Sequence, residues 1–219
     1  MTTPHRTWHY GLMARWWAEF VEGGADVEYF QSLIEQNGQP ALDLGCGTGR
    51  LLAQFRRSGL DVDGCDISED MIARCREQFG DDPGAQLYVQ ATNELERPRR
   101  YQTVIICGSF GIGGTRRDDM EGLRRIHQHL LPGGLLAFDL YIPNVNDKIW
   151  RTWLNENRPM LPSPWSRRGD RRRCEDGTEL EMKGRVLDFD PLNQVSTRGV
   201  KIDHWRAMNS SPARRVRFR

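Results

Sequence analysis

Three glycines at alternate positions, Gly45, Gly47 and Gly49, follow the short apolar run Ala41–Leu44 and precede a helical pattern that starts at Arg50. Glycine permits positive φ and removes the Cβ that would hold a ligand away from the main chain, while a helix start offers unpaired N–H groups. A strand, a glycine turn and a helix in that order are therefore expected to hold a bound molecule at the turn. Two common occupants are disfavoured. A dinucleotide fingerprint counted from Gly45 and Gly47 would need its third glycine at Arg50, a bulky residue where strand and helix must pack closely. A phosphate-cradling loop would close on Gly-Lys-Ser/Thr, which is absent. Further along, Asp63-Gly64-Cys65-Asp66-Ile67-Ser68 sets Asp66 at the end of the next strand pattern, where a carboxylate can accept hydrogen bonds from both hydroxyls of a ribose.

The two elements together resemble the cofactor motifs of class I S-adenosylmethionine-dependent methyltransferases, in which Asp43, Gly45, Gly47 and Gly49 match Asp-x-Gly-x-Gly-x-Gly residue for residue. The resemblance spans residues 38–141. It includes Val89-Gln90-Ala91-Thr92 after the third strand, Ile105-Ile106-Cys107-Gly108-Ser109-Phe110 after the fourth, and Leu130-Leu131-Pro132-Gly133-Gly134-Leu135 leading into the fifth. It implies S-adenosyl-L-methionine as cofactor, with Asp43, Gly45, Cys46, Gly47 and Gly49 at the turn and Asp66 on the ribose. Ile67 would lie against the adenine, with Met71 closing over it, and Ala91, Thr92, Cys107 and Gly108 would line the crevice. His9-Tyr10-Gly11-Leu12 with Arg15-Trp16-Trp17 resembles the amino-terminal cap of small-molecule methyltransferases, which adds Tyr10 and Arg15 to the cofactor residues. One position departs from the pattern. Many relatives receive the adenine amino group on an acidic residue where this chain has Ala91, so Gln90 or Thr92 would have to substitute.

Methyl transfer from a sulfonium is an in-line displacement, which asks the protein mainly to hold donor and acceptor at attack distance in a dry cavity. Should an oxygen or nitrogen have to lose a proton, His9 and Tyr141 are the nearest catalytic candidates, followed by Asp139 and His127. Cys107 reads as a small buried residue rather than a nucleophile, because no activating partner is visible. His127 and His129, two residues apart on a helix, face different ways, and no metal site is expected.

The elements that must position these residues alternate along the middle of the chain. Ala41–Leu44, Leu60–Cys65, Gln86–Val89, Thr103–Cys107 and Leu135–Leu140 read as strands, interleaved with helical patterns at Arg50–Arg57, Glu69–Phe79 and Arg117–Leu131. That order predicts an α/β fold, a Rossmann-like, doubly wound, mostly parallel sheet with helices on both faces. Its ligand would lie beyond the carboxyl ends of the strands. In front, Tyr10, Met13, Trp17 and Phe20 mark an amphipathic helix. Behind, Trp165–Cys174, Thr178–Phe189 and Val195–Trp205 alternate polar with apolar residues around Asp176-Gly177 and Pro191-Leu192-Asn193, a small antiparallel appendage. The expected division is a helical cap over residues 1–37, a cofactor-binding core over 38–141 and the appendage over 142–219.

Composition narrows the function classes. With 31 basic and 30 acidic residues among 219, the chain lacks the overall charge of a nucleic-acid binder. Residues 1–150 carry 15 basic and 21 acidic groups, while residues 151–219 carry 16 and 9, a basic segment on an acidic body. No apolar run is long enough to cross a bilayer and Met1–Tyr10 has no leader pattern, so a cytoplasmic protein is expected, with no membrane partner. Five scattered cysteines fit reduced thiols.

The expected activity is methyl transfer to an oxygen or nitrogen of a small molecule. Two alternatives stay open. An RNA methyltransferase would use the arginines at 167, 168, 171–173, 214, 215, 217 and 219, although acidic residues interrupt that strip. A non-catalytic or truncated cofactor-binding protein would follow from the want of a closing antiparallel hairpin after the fifth strand, whose exposed edge could support self-association.

Overall fold

A computed structural model of the chain describes residues 9–79, 86–140, 160–190, 193, 195–206 and 216–217. Contacts divide it into two compact units, Met1–Leu140 and Tyr141–Arg219.

In the first unit, β1 (Ala41–Leu44), β2 (Val62–Asp66), β3 (Leu87–Val89), β4 (Tyr101–Ile106) and β5 (Leu130–Phe138) form one parallel sheet in the order β3-β2-β1-β4-β5. The order reverses between β1 and β4, which opens a crevice at their carboxyl ends. Each central strand is buried on both sides because successive side chains enter opposite core layers. Ala41, Val62 and Ile105 face Leu51, Leu52 and Phe55 of α3 (Arg50–Arg57) and Val27, Phe30 and Ile34 of α2 (Ala25–Asn37). Leu42, Leu44, Val104 and Ile106 face Ile126 of α5 (Arg116–His129).

Local chemistry sets the helix ends. Ser68 caps α4 (Glu69–Phe79), its hydroxyl accepting from Met71 N at 3.2 Å, as its position before Glu69 and Asp70 predicts. Thr115 and Asp118 form a reciprocal capping box at the start of α5. The end of α5 differs from expectation: the helix stops at His129 and β5 begins at once. Pro132-Gly133-Gly134 lies inside β5 as an excursion, with Leu130 opposite Tyr101 and Leu135 already opposite Thr103, and Gly133 at φ 77°. Proline and a left-handed glycine break the ladder there without ending the strand.

Helix α1 (Leu12–Phe20) turns Met13, Ala14 and Trp16 inward. Helix α2 was not singled out in the sequence, although Val27, Phe30 and Ile34 recur at helical spacing and Gly38 stops it at φ 105°.

The second unit holds β6 (Asp170–Arg173), β7 (Thr178–Asp190), β8 (Val195–Arg206) and β9 (Val216–Arg217), all antiparallel neighbours in that order. The β6–β7 turn falls at Asp176-Gly177, where Thr178 N bonds Asp176 Oδ1 at 2.9 Å and Gly177 adopts φ 79°. Among the described residues no helix is long and apolar enough to cross a membrane.

Because Ile34 is fully buried between α2 and the sheet, Ile34→Ala is expected to cost about 2–5 kcal/mol in urea unfolding. A loss of only a few tenths would mean that α2 is not part of this core.

Candidate active site

The three glycines of the turn do different work. Gly45 adopts φ 73°, and the space its Cβ would need is filled by the Ser109 side chain, whose hydroxyl donates to Leu44 O at 3.2 Å. At Gly49, φ 89°, a Cβ would come within 2.6 Å of Cys75 Sγ on α4. Both are glycines because the protein packs against itself there. Gly47, φ 56°, is the one of the three whose missing side chain would project into open space, which leaves the main chain there accessible.

Strand register aligns the remaining groups. Asp43, Gly64, Ile105 and Ala137 lie opposite one another on β1, β2, β4 and β5. One pleat repeat farther toward the carboxyl edge, the same face carries Gly45, Asp66, Cys107 and Asp139. The mouth of the sheet therefore reads, from β2 to β5, carboxylate, glycine turn, thiol, carboxylate. Three strand spacings make the row about 14 Å wide.

Asp66 is tied to the turn by Gly47 N, which donates to its Oδ2 at 3.0 Å, and to α4 by Ser68 N, which donates to its Oδ1 at 2.8 Å. Each oxygen keeps a lone pair for a further donor. Burial pushes this carboxyl up, and the two main-chain donors hold it back. Asp43 is buried, 1% exposed, and its Oδ2 has no hydrogen-bond partner among the described residues. Burial pushes it up to about 7, against the pull of Arg50 and with a further push from Asp66. An orphaned carboxylate oxygen beneath an open glycine suits a cationic donor group.

On the β4 side, Arg50 Nη2 bonds Asp26 Oδ2 at 2.6 Å and reaches Cys107 Sγ at 3.6 Å, while that thiol donates to Asp26 at 3.5 Å. Its bond to Arg50 holds the Asp26 carboxyl low. Burial, with Asp139 nearby, pushes Cys107 up to about 12, so it stays a thiol and is not a nucleophile. Gly108 N donates to Asp139 Oδ1 at 2.5 Å.

The amino-terminal segment lies against the loop after β2. Ser68 Oγ donates to His9 O, Tyr10 Oη to Ile67 O at 3.4 Å, and Gly11 N to Asp70 Oδ2 at 2.6 Å. The His9 ring lies 6.0 Å from that of Trp17, and burial pushes it down to about 4. Met71 is buried and Ile67 half-buried in the same region. Arg15 bonds Glu19 along α1 at 2.5 Å. Cys46 is buried beside Cys75, which pushes its thiol up. Ala91 and Thr92 open the 3-10 turn Thr92–Glu94 after β3, where Gln90 N donates to Asp66 O and Gln90 Oε1 accepts from Glu96 N at 3.2 Å. Tyr141 lies outside the described residues. Asp26 and the stapling role of Ser109 emerge only from the three-dimensional arrangement. Neither carries a local signal, since their partners Arg50 and Leu44 are 24 and 65 positions away.

Residues 41–134 match the family model described as a methyltransferase domain. A methyltransferase of Geobacillus sp. (strain WCH70) is 27% identical over 146 residues, covering 62% of this chain and 59% of that protein. The dTDP-3-amino-3,4,6-trideoxy-alpha-D-glucopyranose N,N-dimethyltransferase of Streptomyces venezuelae is 28% identical over 99 residues, covering 45% and 40%. The chain spans about half the length of the curated relatives it matches. Among solved structures, the sugar N-methyltransferase KedS8 from Streptoalloteichus sp. ATCC 53650 superposes with a TM-score of 0.69 at 16% identity, covering 97% of this chain and 79% of that one. DesVI of Streptomyces venezuelae gives 0.61 at 19%, covering 83% and 70%. These structures share the fold.

The raised Asp43 carboxyl makes a signed prediction. Unfolded, it titrates near 4; folded, it keeps its proton up to about 7, so its contribution is full below pH 4, declines as pH rises to 7, and is flat above. Asp43→Asn does not titrate, so urea unfolding should show the variant gaining on wild type between pH 4 and 7, by up to about 4 kcal/mol. A difference that does not change with pH would contradict this.

Proposed function

Starting from residues 41–134 as a class I methyltransferase domain, we propose that this chain transfers a methyl group from S-adenosyl-L-methionine to a nitrogen or oxygen of a small molecule. The observation that carries the reading is the Gly47–Asp66 contact, a main-chain N–H bonded to a carboxylate beside the open glycine. The residues present fit the cofactor. Asp66 retains acceptor capacity for both ribose hydroxyls. Gly47 admits the body of the molecule, and the orphaned Asp43 oxygen answers the ammonium of its methionine end. Ile67 and Met71 offer apolar contact to the adenine. With no acid at Ala91, Gln90, whose Oε1 already accepts from Glu96 N but keeps a second lone pair, or Thr92 would meet the adenine amino group.

When bound, the cofactor supplies an electrophilic methyl carbon. The chain's part is to hold it and exclude water. Gly45, Cys46 and Gly49 shape the turn, Cys107 and Gly108 line its β4 side, and Tyr10 and Arg15 belong to the segment that covers it. His9, pushed down to about 4, is neutral near pH 7 and too weak a base to take a proton from an alcohol. Lying against the loop after β2, it belongs in this reading to the segment on the cofactor's side, and Tyr141 is left as the candidate to orient an acceptor.

A small molecule is favoured over RNA because the middle of the arginine strip is paired with carboxylates: Arg171 and Arg173 both bond Glu179, and Arg172 bonds Asp170. The relatives' names point the same way, with sugar N-methylation for KedS8 and O-methylation for the ubiquinone biosynthesis enzyme of Aliivibrio fischeri.

Titration calorimetry with S-adenosylmethionine tests the proposal. Wild type should bind, and Asp66→Ala should weaken binding about 10–100-fold, the loss of two charge-assisted hydrogen bonds. Gly47→Val, which fills the open space, should weaken it as well. No heat with wild type, or unchanged affinity in Asp66→Ala, would overturn the reading.

A further inference from the structure

We infer that Asp139 selects the methyl acceptor, and that the acceptor is an amine. The inference rests on the methyltransferase reading of the crevice. The register row places Asp66 and Asp139 at its two ends, with the glycine turn next to Asp66 and Cys107 next to Asp139. A cofactor whose ribose lies on Asp66 and whose methionine end lies over Asp43 occupies the β2 and β1 side, which leaves β4 and β5 for the acceptor.

Charges on that side are unequal. Arg50 is matched by Asp26 at 2.6 Å, and Cys107 remains a neutral thiol donating to the same carboxylate. Asp139 has no cationic partner among the described residues. Its Oδ1 is held by Gly108 N, which fixes the side chain in the row, and the carboxylate is exposed. A fixed, accessible, unneutralised carboxylate attracts an ammonium and gives a neutral hydroxyl far less.

The charge balance of the transfer agrees with this. The acceptor enters as R–NH3+ and releases one proton to water. Its freed lone pair then forms the N–CH3 bond as the S–CH3 bond breaks, and those bonding electrons stay on sulfur as a neutral thioether. The product R–NH2–CH3+ carries the positive charge that the sulfonium lost. Asp139 faces a cation before and after the step, so it acts on binding and orientation and need not take the proton itself.

The test uses the full chain and three matched probe pairs: benzylamine and benzyl alcohol, cyclohexylamine and cyclohexanol, glucosamine and glucose. Methyl transfer from S-adenosylmethionine is followed by mass spectrometry, and S-adenosylhomocysteine binding by calorimetry. The amine of at least one pair should be methylated with kcat/KM at least about tenfold above its alcohol. Asp139→Asn, which keeps an oxygen for Gly108 N, should remove that preference mainly through KM, leave S-adenosylhomocysteine affinity unchanged, and be partly rescued by Asp139→Glu. Equal or better use of the alcohols, amines handled alike by wild type and Asp139→Asn, or no amine methylated by a chain that binds S-adenosylhomocysteine would overturn the inference. Failure of wild type to bind S-adenosylhomocysteine would instead overturn the methyltransferase reading and the inference with it.

Discussion

The hydrogen bond from Gly47 N to Asp66 joins two loops that leave adjacent parallel strands, and much of the crevice follows from it. For the bond to form, β1 and β2 must pair so that the turn and the carboxylate reach the edge together, and residue 47 must sit at positive φ with its N–H toward β2. With Ser68 N as the second donor, the same bond allows Asp66 to be largely buried without an ion partner. It also closes the gap between α3 and α4, where Gly49 lets Cys75 approach. What is left open is the space above Gly47.

Asp43 is the cost of that arrangement. A carboxyl fully enclosed beneath the turn, with one oxygen unpartnered, destabilises the folded chain whenever it is ionised. Nothing in the core layers needs it, since the neighbouring positions are satisfied by Ala41, Leu42 and Leu44. In the proposed methyltransferase reading its partner would arrive with the cofactor, stability given up at a site.

Much of the sheet was legible because buried parallel strands and their helices leave short-range marks. Ala41–Leu44 and Glu69–Phe79 are bounded in the structure where the apolar runs and the Ser68 cap put them. The glycine turn and Asp66 were legible for the same reason, as residue types at strand ends. Two things were not. Helix α2 has its apolar stripe broken by charges at its start, and one of those, Asp26, finds its partner only in three dimensions. The division of labour among Gly45, Gly47 and Gly49 depends on Ser109 and Cys75, which approach from other strands and helices. Asp139 was legible as a carboxylate at a strand end, and the register across β1, β4 and β5 aligns it with Cys107 and the glycine turn.

The account stands on a seat formed by Gly47 and Asp66. A crystal structure of the chain with S-adenosylhomocysteine tests it most directly. It should place both ribose hydroxyls within hydrogen-bond distance of the Asp66 carboxylate and the ligand's amino group on Asp43, with the thioether sulfur turned toward Cys107. A ligand bound elsewhere, or a Gly47 crevice closed by protein atoms, would contradict the account.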